Sequence, residues 1–483
     1  MKYTSFKRIV SVFLLVITLS SCEKSENLIP ANVEIQDFVW KGMNAFYFWQ
    51  DQIPVLADTR FSSQQQLNSY LLGFPNPADL FQTLRFQPGV EDKFSWIVDD
   101  YIALENSFQG INPSNGMELG LVRFADTPSN LFGYVRYVVP SSDAETQGIT
   151  RGMLFTEIDG TQITEDNFNP LLSSNTYTIH LADFNAGNPT TNGTTIALTK
   201  NQLQENPIHI KKVIDEGANK IGYLMYNQFA SSFDGQLNAA IADFQTAGIT
   251  DLIIDLRYNG GGATSTATYM GSMVTGQFNG QLFSRELWNS KVQAAISDEV
   301  FINNFTNQIL NLDLNGTVVL QEPINSLNLT RIYFITTEST ASASELVMNS
   351  LAPYINVSSV GTTTLGKVHG STTLYDTDTY SRNGPNLNPN HTWAMQPLVL
   401  EIVNSNGTNQ PNGISPNVPL PEDYENLGVL GEKSDPLLDR TITLITTGSR
   451  IGPPTNQLQL IELSNSKLMT PAKNNMHVEL KKR

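Results

Sequence analysis

One stretch, residues 331–367, constrains this chain of 483 residues more than any other. It opens with an apolar, β-rich run at 332–337 that is typical of a buried strand. After a small polar segment, apolar residues recur at helical spacing until Pro353, and these are Leu346, Val347 and Leu351. A second strand-like run at 355–360 then leads to a glycine-flanked loop that ends at Lys367. The pattern predicts a strand, a turn, a helix and a second strand, with a row of serines at the helix start.

Serines at the start of a helix lie in an environment suited to chemistry. The first N–H groups of a helix are unpaired and its dipole is positive there, so an oxyanion would be stabilised. A serine in that position and Lys367 on a nearby loop would form a Ser/Lys catalytic pair. The structural alternative is a helix cap, in which Glu345 completes a capping arrangement with Ser342, and a lysine that is simply solvated.

Two motifs in this stretch resemble those of the S41 family of serine peptidases, the C-terminal-processing or tail-specific proteases. The segment Thr-Ala-Ser-Ala-Ser-Glu at 340–345 resembles the nucleophile motif, and Thr-Leu-Gly-Lys at 364–367 resembles the motif of the lysine base. The family spacing of 25 positions (367 − 342) selects Ser342 rather than Ser339 or Ser344. The resemblance therefore implies Ser342 as nucleophile and Lys367 as general base.

A glycine-rich phrase at 255–262, Asp-Leu-Arg-Tyr-Asn-Gly-Gly-Gly, resembles the family phrase D-L-R-x-N-x-G-G. By this resemblance the N–H groups of Gly261 and Ala343 would form the oxyanion hole, with Gly262 as the other choice for the glycine donor. Asp255 and Arg257 are expected to form a charged pair that braces the loop.

The lysine must be neutral to accept a proton from serine. We expect Lys367 to be buried beside Ser342, with its pKa lowered from about 10.4 to about 7–8 by desolvation or nearby positive charge. Many family members carry a glutamine four residues after the lysine, and Ser371 stands at that position here. Either Ser371 or His369 would then orient Lys367, and His369 as the true base is the remaining alternative.

The first 22 residues resemble a lipoprotein signal. Basic residues precede an apolar run at 9–19, which is too short to span a bilayer, and Leu-Ser-Ser-Cys at 19–22 resembles a bacterial lipobox. Cys22 is the single cysteine, so no intrachain disulfide can form. Residues 23–26 weakly resemble the surface-export signal of Bacteroidota lipoproteins. We expect a lipid anchor on Cys22 and a place in the cell envelope, with the membrane face left open.

The chain divides into five parts. After the signal peptide (1–21) come a linker with a small helical domain (22–100), a PDZ-like domain (101–202), the peptidase domain (206–450) and a flexible or loosely packed tail (451–483). The PDZ-like part resembles the family phrase around 141–160, and a PDZ domain binds an extended peptide along a sheet edge. The candidate carboxylate-binding loop is Leu119, Gly120, Leu121 and Val122, which as an alternative are simply core residues of the first strand.

Composition excludes several function classes. The formal charge of −17 argues against nucleic acid as a partner, and the five histidines are scattered without a metal-binding motif, so we predict no metal and no cofactor. The fold expected from the resemblance is mixed α/β: a crotonase- or Clp-protease-like ββα core, a PDZ-like β domain and a helical N-terminal domain. The expected function is an envelope serine endopeptidase acting on unfolded or C-terminally recognised polypeptides. The alternatives are a catalytically weak relative that binds peptides or small apolar ligands, and a Ser/Lys amidase or esterase.

Overall fold

The computed structural model describes residues 29–450 and 460–478. Its α-helices are α1 (Glu34–Phe46), α2 (Gln64–Leu71), α3 (Pro77–Thr83), α4 (Tyr101–Phe108), α5 (Asp143–Thr146), α6 (Phe168–Ser173), α7 (Asp234–Ala247), α8 (Thr264–Thr275), α9 (Ser290–Ala295), α10 (Ala343–Leu351) and α11 (Pro436–Thr447). Its strands in the first half of the chain are β1 (Trp96–Val98), β2 (Ile111–Ser114), β3 (Met117–Arg123), β4 (Leu131–Val138), β5 (Leu154–Ile158), β6 (Thr161–Gln162), β7 (Thr176–Asp183), β8 (Thr190–Thr199), β9 (Asn201–Gln204), β10 (Ile208–Glu216) and β11 (Asn219–Tyr226). The remaining strands are β12 (Asp251–Asp255), β13 (Gly262–Ala263), β14 (Leu282–Trp288), β15 (Ile302–Asn304), β16 (Gln308–Leu312), β17 (Val318–Pro323), β18 (Arg331–Thr336), β19 (Asn356–Gly361), β20 (His369–Ser371), β21 (Leu374–Tyr375), β22 (Ala394–Gln396), β23 (Leu398–Asn404), β24 (Val418–Pro419), β25 (Glu462–Asn465) and β26 (Met476–His477).

The N-terminal part is helical, as its apolar spacing predicts. Apolar residues recur at helical spacing over 33–49, 62–73 and 78–85, and helices α1, α2 and α3 form within one residue of these three ranges. Helix α3 has Pro at its first position, and the Asn76 side chain caps it by accepting the Ala78 N–H at 3.1 Å. A shared core fixes the three helices together, because apolar side chains from each of them form one cluster that also includes Leu374 and Met395 of the later chain.

A β domain follows, built on one twisted sheet. The strand order is β25-β3-β4-β5-β7-β8, with β6 paired to β5, and all of these pairings are antiparallel. Among the strands of residues 117–199, β3 lies at one edge of the sheet. Strand β25, from residues 462–465, pairs with the open side of β3. Alternating inward residues of this sheet form a separate apolar core.

The largest unit consists of two six-stranded sheets with helices packed against them. One sheet has the order β10-β11-β12-β18-β19-β24 and is parallel from β11 onward. The other has the order β13-β26-β20-β23-β14-β15. Strand β12 is buried at every residue, which agrees with the apolar run Leu-Ile-Ile between its two terminal aspartates. Because β12 and β18 are parallel neighbours, the loops that follow them leave the sheet at the same edge, and these are the glycine-rich loop and the serine-rich loop.

Residues 460–478 correct one expectation. The flexible or loosely packed tail predicted over 451–483 is wrong for this segment, because it adds β25 to the β domain and β26 to the second large sheet. Several of its side chains are almost fully buried, including Asn465, Lys467, Asn475 and Met476. The order of this segment could not be predicted, because it lacks an apolar period and the strands with which it pairs lie more than 100 positions away.

The predicted lipid anchor and the predicted absence of a metal both stay predictions. Cys22 and the predicted signal peptide lie outside the described residues, so the anchor stays a prediction. Within residues 29–450 and 460–478, no helix combines the length and apolarity that crossing a membrane requires. The same part of the chain brings together no group of three His, Cys, Asp or Glu side chains able to hold a metal ion.

Candidate active site

Ser342 stands at the turn between the loop after β18 and the start of α10. Its backbone has φ +67° and ψ −116°, a conformation that costs a non-glycine residue about 1–3 kcal/mol. The residue is fully buried, and within the described chain its Oγ has no hydrogen-bond partner. The Ser342 N–H donates to Glu345 as in the capping arrangement that the structural alternative expected, but a helix cap does not require the strained backbone or the buried hydroxyl.

The neighbouring serines differ from Ser342 in their contacts. Ser339 Oγ accepts a hydrogen bond from Arg136 Nη2 at 2.9 Å, and Ser344 Oγ donates to the Asn259 carbonyl at 3.1 Å. Both hydroxyls are therefore occupied in holding the fold. The geometry thus favours the same serine that the motif spacing selects.

The serine loop is fixed to the glycine-rich loop by several hydrogen bonds. The Ala341 N–H donates to the Asn259 carbonyl at 3.0 Å, and Thr340 Oγ1 donates to the Leu256 carbonyl at 2.8 Å. The two loops approach so closely that a Cβ atom on Gly261 would lie 2.6 Å from Ser342 Cβ and 2.8 Å from its Oγ. Gly261 also has φ +109°, so glycine is required here both for space and for backbone conformation.

The two N–H groups predicted to form the oxyanion hole differ in their hydrogen bonding. The Ala343 N–H is the first of helix α10, and it donates to no acceptor among the described residues. The Gly261 N–H donates to Asn259 Oδ1 at 2.9 Å. Both groups flank Ser342, one as its chain neighbour and one across the loop contact. Their role as an oxyanion hole stays a prediction, in which the Asn259 side chain would share or release the Gly261 N–H.

Glu345 joins the serine turn to the lysine loop, a function that the sequence suggested only as a helix cap. Its Oε2 accepts the Ser342 N–H at 2.7 Å and the Lys367 N–H at 2.9 Å. Its Oε1 accepts Thr364 Oγ1 at 2.5 Å and the Gly366 N–H at 2.6 Å. Burial raises the pKa of this carboxyl, although the four hydrogen bonds oppose the shift. The signal in the sequence was the Glu that ends the nucleophile motif.

Lys367 is buried, as expected, and shares a small cavity with Ser342. Burial lowers the pKa of its ammonium to about 7, while the charges of Glu345 and Asp92 partly oppose the shift. Its Nζ donates to the Asn474 carbonyl at 2.7 Å and to Asn475 Oδ1 at 3.4 Å, and it lies 4.5 Å from the centre of the Phe94 ring. No hydrogen bond joins Nζ to Ser342 Oγ within the described chain.

The prediction that Ser371 or His369 orients Lys367 is wrong for this structure. Ser371 Oγ is directed to Gln396 Oε1 at 2.6 Å and Asn475 Oδ1 at 2.9 Å, so it reaches the lysine only through Asn475. His369 packs against the rings of Phe48 and Trp49, and burial lowers its pKa. Sequence reasoning missed Asn475 because nothing local marks an asparagine in a polar segment as part of a distant site.

The charged pair expected beneath the glycine-rich loop is confirmed. Arg257 Nη2 lies 2.7 Å from Asp255 Oδ2 and 2.7 Å from Asp435 Oδ2, and all three side chains are fully buried. Asp435 also caps helix α11 by accepting the Leu437 N–H, a role typical of an aspartate directly before a proline at the first helical position. The brace therefore ties the loop that carries Gly261 to the last helix of the large unit.

The predicted peptide-binding residues lie within strand β3. Leu119, Leu121 and Val122 are buried in the two cores of the β domain, as the structural alternative expected. Gly120 faces Tyr134, whose ring atom would lie 2.2 Å from an added Cβ. The side of β3 that faces away from β4 is hydrogen-bonded to β25, with Ser464 opposite Leu121 and Asn465 opposite Gly120. A carboxylate-binding role for the four residues therefore stays a prediction.

Comparisons with known proteins agree with the motifs. Residues 220–420 match the model of peptidase family S41, and residues 34–96 match that of the peptidase S41 N-terminal domain. A Staphylococcus epidermidis protein assigned as a CtpA-like serine protease is 35% identical over 72 residues, which are 15% of this chain and 15% of that protein. The matched region thus spans only a small part of these curated relatives.

Two solved structures are similar to this chain at lower sequence identity. A crystal structure assigned to an S41 protease from Bacteroides fragilis has a TM-score of 0.63 at 22% identity, covering 85% of this chain and 97% of that one. The photosystem II D1 C-terminal processing protease has a TM-score of 0.48 at 17% identity, covering 84% of this chain and 99% of that one. The first of these likenesses supports the mixed α/β fold with its helical N-terminal region.

Proposed function

Because the chain belongs to peptidase family S41, we propose that it is a serine endopeptidase in which Ser342 is the nucleophile and Lys367 the general base. The observation that carries this proposal is the pair itself. Ser342 has a strained backbone and an unpaired buried hydroxyl, and it lines the same cavity as a buried lysine whose pKa falls to about 7. A lysine that is half neutral near physiological pH is a competent base, whereas an exposed lysine is not.

The proposed chemistry conserves each proton. Ser342 Oγ attacks the carbonyl carbon of the scissile bond while its proton passes to the neutral Lys367 amine. The oxyanion is stabilised by the Ala343 N–H and, once Asn259 shares it, by the Gly261 N–H, and loss of one such donor typically costs about 10²–10³ in rate. Lys367 then gives the proton to the leaving amine, and water hydrolyses the acyl-enzyme by the reverse sequence.

The β domain supplies the proposed route for substrate. We infer that it is a PDZ-like unit, because an extended peptide can add to the edge of its sheet at β3, where β25 now lies. Unfolded or C-terminally recognised polypeptides are the substrates that such an edge would accept. The lipobox-like sequence before Cys22 supports a lipid anchor and a cell-envelope location for the enzyme.

Proteolysis of an unstructured protein by the purified chain from residue 23 onward tests the proposal. We expect the parent to cleave, and Ser342→Ala and Lys367→Ala each to lose activity by a factor of about 10³ or more. Equal cleavage by all three proteins would show that the pair is wrongly assigned. Hydrolysis of esters without cleavage of any peptide would support the amidase or esterase alternative, and binding without cleavage the weak relative.

A further inference from the structure

Segment 460–478 follows a path that runs from the β domain to Ser342. Its β25 extends the sheet at β3, and its β26 lies between β13 of the glycine-rich loop and β20 after the lysine loop. One end of the segment thus occupies the sheet edge at which a further strand could add. The other end lies beside the nucleophile. An extended polypeptide that bound to both features at once would have to follow the same course.

Contacts near the nucleophile place the segment's backbone against that of the glycine-rich loop. A Cβ atom on Gly260 would lie 2.3 Å from the Lys473 carbonyl oxygen. A Cβ atom on Gly261 would lie 2.8 Å from the Asn475 carbonyl oxygen and 2.8 Å from Ser342 Oγ, so both oxygens border the same point. The bare glycine surface that would let a substrate approach the nucleophile is therefore covered by this chain's own backbone.

The cavity beside Ser342 is also nearly filled. Met476 lines it together with apolar side chains of the body, and the space left is about 20 Å³, little more than one water molecule needs. The Asn474 carbonyl and Asn475 Oδ1 accept the hydrogen bonds of Lys367 Nζ, whose amine makes no hydrogen bond to Ser342. In this arrangement the pair has neither room for a substrate side chain nor its own proton-transfer contact.

Charge holds the segment in place between the two units. Lys473 Nζ lies 2.7 Å from Glu118 Oε1 and 3.4 Å from Glu205 Oε2, and Lys467 Nζ lies 3.5 Å from Glu205 Oε2. All four side chains are buried. Without the segment, Glu118 and Glu205 would lose both lysine partners, and a pair of buried carboxylates in that state is suited to binding a basic side chain.

We propose that segment 460–478 occupies the channel of the substrate polypeptide and inhibits the enzyme in cis, and that Glu118 and Glu205 select substrates with basic side chains. The proposal rests on the peptidase function proposed above. Its mechanism is a competition between two chains for one channel, in which a substrate enters when the segment leaves. The buried lysines of the segment also indicate the substrate class, a polypeptide whose basic side chains can replace Lys467 and Lys473 beside Glu118 and Glu205.

Weakening the segment in the full chain tests the inhibition. Lys473→Glu places a third carboxylate beside Glu118 and Glu205, and we expect kcat/KM for an unstructured lysine-rich protein to rise about tenfold or more. The matched control is Lys433→Glu, a lysine with a 56% exposed side chain that pairs with Glu216 away from the channel, and its rate should equal that of the parent. A folded Lys473→Glu variant that cleaves no faster than the control would overturn the proposal, and lost activity would show that the segment is a fixed part of the active site.

Hydrogen exchange in the Ser342→Ala chain gives a second test that does not depend on a charge reversal in a buried site. The variant keeps its substrate intact, so a saturating lysine-rich unfolded protein should expose the amides of β25 and β26 and accelerate their exchange. The amides of the β16–β17 hairpin serve as the internal control, because that hairpin forms its own two-stranded sheet. Bound substrate with unchanged protection of β25 and β26 would refute the competition.

The two tests separate this inference from the function on which it rests. If substrate displaces the segment but neither the parent nor Lys473→Glu cleaves it, the proposed peptidase activity is wrong and the proposed competition for one binding path is supported. If cleavage requires Ser342 but the segment is not displaced and Lys473→Glu is not activated, the proposed peptidase activity is supported and the proposed inhibition by the segment is wrong.

Discussion

Lys367 carries the proton chemistry of the proposed mechanism, and its environment fixes the pH range in which that chemistry operates. Burial lowers the pKa of the lysine to about 7, so the amine is protonated below this pH and neutral above it. Only the neutral amine can accept the proton of Ser342. A substrate that replaces segment 460–478 would bury the amine again, so we expect kcat/KM to rise about tenfold per pH unit below 7 and to level off above it.

A profile of kcat/KM from pH 5 to 9 on a short peptide checks this prediction. The peptide should carry no group that titrates in the range, so that the midpoint belongs to the enzyme. A flat profile, with chemistry limiting the rate, would exclude Lys367 as the base. A midpoint near 10 would show that the lysine is solvated in the active enzyme.

The same shift makes Lys367 a cost to stability. Its pKa is lower in the folded chain, about 7, than the value of about 10.4 for an unfolded chain, so the unfolded state holds more protons between these values. Stability therefore rises with pH across this window, and the penalty is complete below pH 7. We expect Lys367→Met to raise the free energy of unfolding by roughly 2–4 kcal/mol at pH 6 and by much less at pH 10.

Urea unfolding at the two pH values measures that difference. Lys433→Met is the matched control, because its side chain is exposed and the substitution should change stability by less than about 0.5 kcal/mol. Stabilisation of the Lys367→Met variant by the same amount at both pH values would mean that proton binding is not its cause.

At the scale of elements, two glycines separate the effect of backbone strain from that of a side-chain contact. One is in the glycine-rich loop after β12, and the other ends helix α7. Gly261 and Gly248 both have positive φ, +109° and +67°. A Cβ atom would meet Ser342 at Gly261 and nothing within 4 Å at Gly248, which caps helix α7. Gly261→Ala should therefore reduce kcat/KM by about 10² or more, because it displaces the nucleophile.

Gly248→Ala separates the contribution of backbone strain in the same assays. It should cost about 1 kcal/mol of stability and leave kcat/KM within about twofold of the parent. Equal activity in the two variants would show that the contact between Gly261 and Ser342 has no bearing on the position of the nucleophile.

The elements around this loop could be predicted because their signals are local. The apolar run before Ser342 became β18, the periodic residues after it became α10, and Asp435 before Pro436 became the cap of α11. The links between these elements could not be predicted. Glu345 joins the serine and lysine loops through four hydrogen bonds, three of which go to residues of the lysine loop about 20 positions away. Asn475 reaches Lys367 from 108 positions away. A sequence pattern shows which face of a helix or strand is buried. It does not show which other helix or strand covers that face.

At the scale of the whole molecule, three units meet at Lys367. The large unit supplies the lysine itself, the N-terminal helical part supplies the Phe94 ring and the Asp92 charge, and segment 460–478 supplies Asn474 and Asn475. Desolvation of the lysine is therefore a property of the assembled chain. Composition and periodicity describe each unit alone, and for this reason the sequence predicted that the lysine must be buried without indicating which residues bury it.

Asp92 provides a test of this long-range control. It is fully buried, hydrogen-bonds to Tyr47 and pairs with Arg85 at 3.2 Å, and its negative charge raises the pKa of Lys367. Asp92→Asn removes that charge and leaves Arg85 without its pair. Both effects increase the local positive potential and disfavour the protonated amine, so they act in the same direction.

We expect the midpoint of the kcat/KM profile in Asp92→Asn to move to lower pH, by a few tenths of a unit to about one unit. Asp58→Asn is the matched control, because Asp58 lies in the same helical part and pairs with Lys291 at 2.5 Å on the surface, but contributes nothing to the pKa of Lys367. Its profile should coincide with that of the parent. A shift to higher pH in Asp92→Asn would mean that water had entered beside Phe94, and the N-terminal part would then act by excluding solvent rather than through its charge.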